Sequence, residues 1–316
     1  MAANLIPHLP ALQVIIPLVA APLCLLAGRT GFAWVIAFIA SVAATITAAA
    51  LAYLTYHDGT ISYHMGGWAP PWGIEYVVDT ANAFILLLVS SIATMVLIYS
   101  PASVAKEIRP GRGHLYYCMY ILCLTGLLGI AITGDAFNVF VFLEVSSLSS
   151  YALIAMGGQR KALTAAFQYL VMGTIGATFF LIGVGLLYMM TGTLNMADLA
   201  KRIPEIQDSR PVLAAFAFIT VGLALKAALF PLHLWLPNAY AYAPSGVSAF
   251  MAATATKVSL YVLLRFTFTI FGAEFAFGNL PLSWVLLVPA VIAMFAGSFS
   301  AMFQRDIKRM LAYSSV

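Results

Sequence analysis

The sequence predicts an all-α, polytopic transmembrane helix bundle, and three observations carry that prediction. Of 316 residues, 63% are hydrophobic and only 8% charged, with a mean hydropathy of +0.98, which is more apolar surface than a soluble fold can hide. The apolar runs reach or exceed the roughly 20 residues that a spanning helix needs. They lack the short alternating segments of a membrane barrel, and in lipid only helices and closed barrels satisfy their own backbone groups.

Apolar windows bounded by polar or Pro/Gly-rich breaks fall near 11–28, 32–56, 80–100, 115–133, 137–156, 164–190, 211–243, 246–271 and 282–303, which gives nine helices. The first has no Lys or Arg before Arg29 and is interrupted by Pro17 and Pro22, so it lacks the charged start of a cleaved signal and is read as a membrane helix. The fourth holds Cys118 and Cys123, five apart, a spacing that suits neither a redox pair nor zinc; with Cys24 they are assigned to packing. The seventh is too long for one straight span and contains Pro231 and Pro237 in FPLHLWLPNAY. Proline removes a backbone donor and its ring clashes with the carbonyl four residues back, here that of Ala227, so a broken helix is expected near 226–238. After the ninth helix, QRDIKRMLAYSSV begins a tenth that is expected to continue beyond Val316.

With the N-terminus outside, the inward connections hold Arg29, Lys106, Arg109, Arg112, Arg160, Lys161, Arg305, Lys308 and Arg309, and the outward ones Lys201, Arg202 and Arg210. This 9-to-3 bias sets the expected orientation, a multi-pass protein of the cell inner (plasma) membrane with its N-terminus outside. The formal charge of +4 comes from these scattered loop residues, not from a basic run that grips phosphate, so nucleic acid is not an expected partner. No Gly-rich phosphate loop opening a helix, GxSxG or HExxH is present. No cofactor and no metal site is expected; His57, Asp58 and His64 in one loop are too loosely spaced for a metal.

Three charges lie inside apolar helices. A charge at the bilayer centre costs several kcal/mol even on lenient insertion scales, so such residues persist where they face protein, water or each other. Glu144, in FNVFVFLEVSSLSSYALIA, is seven residues past Phe137 and about 10 Å into its helix, with Ser147, Leu148 and Tyr151 along its face. Lys226 stands five residues before Pro231, where the freed carbonyls favour a cation and burial favours the neutral amine. Lys257 is about 17 Å along its helix, near the midplane, after a run of small residues that lets neighbouring backbones approach. His233, between the two prolines, can pass protons through either ring nitrogen. Blander readings stand beside these: a protonated Glu bonding a neighbouring helix, a lysine that only bonds carbonyls, a satisfied interior histidine. Arg265, two turns further along the Lys257 face, is expected to snorkel to the headgroups. Asp79 and Asp135 are expected to mark helix ends.

The runs FNVFVFLEVSSLSSYALIA, GLALKAALFPLHLWLPNAYAYAPSGVSAFMAATATKVSLYVLLRF and MFQRDIKRMLAYSSV together resemble the antiporter-like membrane subunits shared by Mrp-type Na+/H+ antiporters and proton-pumping NADH:quinone oxidoreductases, with a texture nearest the D-type subunit of the Mrp antiporters. The resemblance covers most of the chain from about residue 80. It implies the first part of an inverted-repeat transporter fold: 1–110 as an N-terminal three-helix segment, 111–280 as the first proton-translocating repeat, and 281–316 as the start of a truncated second repeat. It also implies that Glu144 is the pairing glutamate, Lys226 the broken-helix lysine and Lys257 the lysine of the next helix, with His233 on the broken-helix connection.

The expected function is therefore a proton-conducting subunit of a multisubunit Na+/H+ antiporter, a transporter subunit rather than an enzyme by itself. Its expected partners are other membrane subunits, protons, Na+ and the lipid bilayer. Two alternatives accompany it: a proton-pumping subunit of a hydrogenase or NADH:quinone oxidoreductase membrane arm, and a truncated scaffold with no transport.

Overall fold

A computed structural model describes residues 6–316, apart from the side chain of Asn279. The helices, in chain order, are α1 (Leu9–Leu26), α2 (Thr30–Asp58), α3 (Thr80–Glu107), α4 (Gly113–Ile132), α5 (Ala136–Ala155), α6 (Arg160–Thr191), α7 (Met196–Ile206), α8 (Arg210–Lys226), α9 (Leu236–Tyr242), α10 (Ser245–Leu264), α11 (Leu282–Met302) and α12 (Ile307–Ser315). Between α2 and α3 an antiparallel hairpin pairs β1 (Ile61–His64) with β2 (Glu75–Val78), Ile61 opposite Val78 and His64 opposite Glu75. The chain is a nearly all-helical, multi-pass membrane bundle. Among the described residues, eight helical segments are long and apolar enough to cross a membrane, against the nine expected; the seventh expected span is divided into α8, of 17 residues, and α9, of 7.

Local chemistry explains where these helices start and stop. Asp79 caps α3 in a reciprocal box with Asn82, and Asp135, Asn195 and Asp306 accept backbone N–H groups at the starts of α5, α7 and α12. The sequence expectation for Asp79 and Asp135 as end markers is met in this way. Pro17 and Pro22 do not interrupt α1, which runs through both; neighbouring helices in a bundle compensate for the lost backbone bonds. Similarly α3 continues past Pro101 to Glu107, beyond the expected end near 100.

The packing is densest around α4, which presents almost no free face and buries Tyr116, Tyr117 and Tyr120. The helices α1, α3 and α5 lie against it, and α2 packs on α1 and α3. A second layer forms where α6 lies along α8. There a Cβ on Gly222 would meet the carbonyl oxygen of Gly176 at 2.6 Å, so the missing side chains set how close these backbones come. All three cysteines are buried and free, as packing residues should be. By contrast, α11 buries little of its surface within this chain.

The hairpin, α7, and the π-type turns Arg265–Ile270 and Glu274–Asn279 were not anticipated. A four-residue strand or an eleven-residue surface helix leaves no long apolar run for a hydropathy window to detect.

Candidate functional site

The break in the seventh span has a specific backbone solution. Lys226 is the last residue of α8; beyond it Ala228 adopts a left-handed conformation with φ of 56°. The N–H of Leu229 reaches the carbonyl of Ala224 at 2.9 Å, and that of Ala228 reaches Leu225 at 3.2 Å. These two bonds form a Schellman closure, built here on alanine where glycine is the usual choice. The Leu225 carbonyl also accepts the indole N–H of Trp235 at 3.1 Å. Irregular chain then runs from Ala227 to Trp235, and α9 resumes with Pro237 in its first turn, where a missing N–H has no cost.

That geometry leaves the Lys226 side chain at the carbonyl end of a half-helix, where the dipole favours a cation. Lys226 is 4% exposed. Its Nζ donates to the Ser147 hydroxyl of α5 and lies 3.9 Å from Glu144 Oε1. Glu144, Ser147 and Tyr151 occupy one face of α5 at spacings of three and four, which is why one lysine meets two of them. Glu144 is partly exposed, and its Oε1 has no hydrogen-bond partner among the described residues, as is also true of the Tyr151 hydroxyl and His233 Nδ1. An aromatic bridge ties α5 to the break: Tyr151 meets Tyr169 edge-on at 4.7 Å, and Tyr169 stacks on Trp235 at 4.0 Å with 7° between planes.

The structure brings Glu144 and Lys226 together, but the other two expected relay residues lie apart from them. His233 is buried, and its ring stacks on Phe230 at 5.2 Å. It makes no hydrogen bond to either lysine among the described residues. Lys257 lies at the expected depth along α10, yet its side chain is exposed on the surface of the chain. It donates to the Ala252 carbonyl at 2.6 Å and approaches Ser315 of α12 at 3.5 Å. Trp235 was missed as a site residue, although an indole between two prolines is a visible sign of a break that needs an extra donor.

A second polar cluster lies at the end of the bundle capped by Asp79. Arg265 forms an ion pair with Asp79 and donates through Nε to the Tyr261 hydroxyl at 2.8 Å. This corrects the expectation that Arg265 snorkels to the headgroups: the N-cap carboxylate of α3 stands within reach, and a charge-assisted pair replaces the water it would have sought. The pair borders a cavity of about 180 Å³ that is also lined by Glu75. Glu75 is held by Ser62 and, at 2.9 Å, by Asn195. Among the described residues, no group of three or more His, Cys, Asp or Glu side chains is arranged to hold a metal ion.

Comparison with known proteins identifies relatives. The family model described as NADH:quinone oxidoreductase/Mrp antiporter, transmembrane, matches residues 133–316. The N-type subunit of an NADH-quinone oxidoreductase from Desulforudis audaxviator is 45% identical over 98% of this chain and 62% of its own length. The D-type subunit of a Na+/H+ antiporter from Alkalihalophilus pseudofirmus is 33% identical over 97% of this chain and 61% of its own. Among solved structures, a chain of the membrane-bound sulfane sulfur reductase, an archaeal respiratory membrane complex, superposes with a TM-score of 0.89 at 32% identity, covering 97% of this chain and 62% of that one. The chain thus spans about three-fifths of the length of these relatives.

Proposed function

The chain belongs to the NADH:quinone oxidoreductase/Mrp antiporter family of membrane subunits, and from that premise we propose that it conducts protons within a multisubunit membrane complex. The observation that supports this most is a buried lysine at an interrupted helix with a carboxylate 3.9 Å away. An opposite charge at such range changes the free energy of holding a proton by roughly 1.4 to 4 kcal/mol. With Glu144 close, Lys226 keeps its proton. When the pair separates, desolvation favours the neutral amine, and the proton leaves toward His233 or water and then Lys257. Water is the partner this reading assigns to the unpaired Glu144, Tyr151 and His233 atoms.

In this reading 111–280 forms one proton-translocating repeat that 281–316 follows, the N-terminus lies outside a plasma membrane, and Lys257 meets its relay partners in the assembled complex. Exchange of Na+ against protons is the setting the sequence suggested, and the Na+/H+ antiporter relative supports it. A second setting, proton pumping driven by a redox reaction, is favoured by the higher identity to the oxidoreductase relative and by the likeness to a respiratory complex chain. Neighbouring genes for iron–sulfur proteins, as against small antiporter subunits, separate the two.

The test is proton movement in vesicles containing the complete assembly, followed by fluorescence quenching. Glu144→Gln and Lys226→Ala are each expected to abolish it with expression intact. Normal proton movement by both variants refutes the relay and leaves the scaffold reading.

A further inference from the structure

Three arginines with no counter-ion among the described residues converge at the end of the bundle where α3 gives way to α4 and α5 to α6. Arg109 and Arg112 come from the first connection and Arg160 from the start of α6, and together they line a cavity of about 620 Å³. That is far more than the roughly 10–15 Å³ of such space that one water needs, and it leaves room for a phosphodiester headgroup. No Asp or Glu lines the cavity, and none of the three arginines forms an ion pair among the described residues. The acid next in sequence, Glu107, is engaged elsewhere: its carboxylate accepts from the Ser103 hydroxyl and from the backbone N–H of Ser245.

The cavity is also lined by the apolar side chains of Ile108, Ala152, Ala155 and Leu163. Beside it runs a second groove of about 390 Å³, walled by Trp34, Pro101, Val104 and Ala105, and the two share Ile108 and Arg109. A cationic chamber that shares one arginine with a neighbouring, mainly apolar groove has the two-part chemistry of a lipid, a phosphate end and a hydrocarbon end. An acidic peptide accounts for the chamber alone and leaves the groove unexplained.

We propose that Arg109, Arg112 and Arg160 bind the headgroup phosphate of an anionic phospholipid whose acyl chains lie along the Trp34 groove. The site is independent of the proton-relay reading. It also gives the basic residues of this end a specific ligand beyond their general part in setting orientation.

The test reconstitutes the native assembly in phosphatidylcholine vesicles carrying trace spin-labelled phosphatidylglycerol and reads the protein-immobilised fraction. Wild type is expected to select phosphatidylglycerol. Each basic residue near an anionic headgroup contributes about fivefold, so the triple variant Arg109→Gln/Arg112→Gln/Arg160→Gln is expected to lose on the order of a hundredfold in affinity. Lys201→Gln/Arg210→Gln, away from this cavity, should change nothing. The triple Arg→Lys variant keeps the charge and should retain selectivity, which separates lost recognition from lost folding. Equal selectivity in the wild type and the triple Gln variant overturns the proposal. So does an equal loss in the triple Lys variant, or abolition of the preference by millimolar inorganic phosphate alone, which would identify a soluble anion site.

Discussion

The ammonium of Lys226 on α8 donates to the hydroxyl of Ser147 on α5, one helical turn from Glu144, which approaches the same nitrogen to 3.9 Å. The lysine thus has two partners of different strength, a fixed neutral acceptor and a carboxylate just beyond hydrogen-bond range. A proton carrier in this arrangement does not depend on the carboxylate alone for its position.

Removal of the fixed acceptor tests that division of labour. A hydrogen bond to a charged group contributes about 1.5–3 kcal/mol, so Ser147→Ala is expected to slow proton movement by roughly ten- to a hundredfold without abolishing it. Ser147→Thr, which keeps the hydroxyl, should remain near wild type. Vesicle quench rates for the two variants check this, and an unchanged rate in Ser147→Ala removes Ser147 from the path.

Substitution of Lys226 by arginine separates a mobile proton from a fixed charge. Guanidinium retains its proton at any physiological pH, while the positive charge beside Glu144 is preserved. Lys226→Arg should therefore assemble normally and fail in proton movement. Retained transport would indicate that the position supplies charge alone.

The left-handed Ala228 that closes α8 carries a steric cost that glycine does not. Ala228→Gly is expected to stabilise the protein by about 0.5–1 kcal/mol, since part of the relief is offset by glycine's greater chain entropy. Thermal unfolding in detergent reads the change, and a lowered midpoint contradicts it.

Asp135 offers a pH-dependent measurement outside the spans. Burial pushes its carboxyl above the ordinary carboxylate range, against the opposing effect of the Asn138 N–H, from which it accepts a hydrogen bond, and of the nearby Phe137 N–H. A folded-state value above the unfolded one means that the folded protein binds more proton. Its contribution to stability is therefore fullest at low pH and declines as pH rises from the unfolded value through the folded one. Asp135→Asn, which keeps a capping oxygen, should flatten that decline and leave stability at neutral pH equal or higher. Unfolding midpoints measured across the acid range decide it; an unchanged pH slope removes Asp135 as the cause.

The order and approximate ends of the spans were legible in the sequence because hydropathy is a local property read over one helix length. The intramembrane charges Glu144, Lys226 and Lys257 were visible for the same reason, as was the break between Pro231 and Pro237. Ser147 and Tyr151 were placed beside Glu144 by helical periodicity alone, and the structure puts Lys226 against that face.

Which side chains meet across helices was decided by tertiary structure. Asp79 and Arg265 are 186 residues apart and pair only because α3 and α10 pack side by side. Lys257 lies as far along α10 as its residue count predicts, but its side chain is exposed, since position along a helix follows from residue count while direction follows from the rotation of α10 against its neighbours. The close approach at Gly176 and Gly222 positions α8 against α6, and no single-helix pattern encodes that distance. Sequence determined what each helix carries; packing determined the direction in which each charge is presented, because rotation and separation are set jointly by several helices.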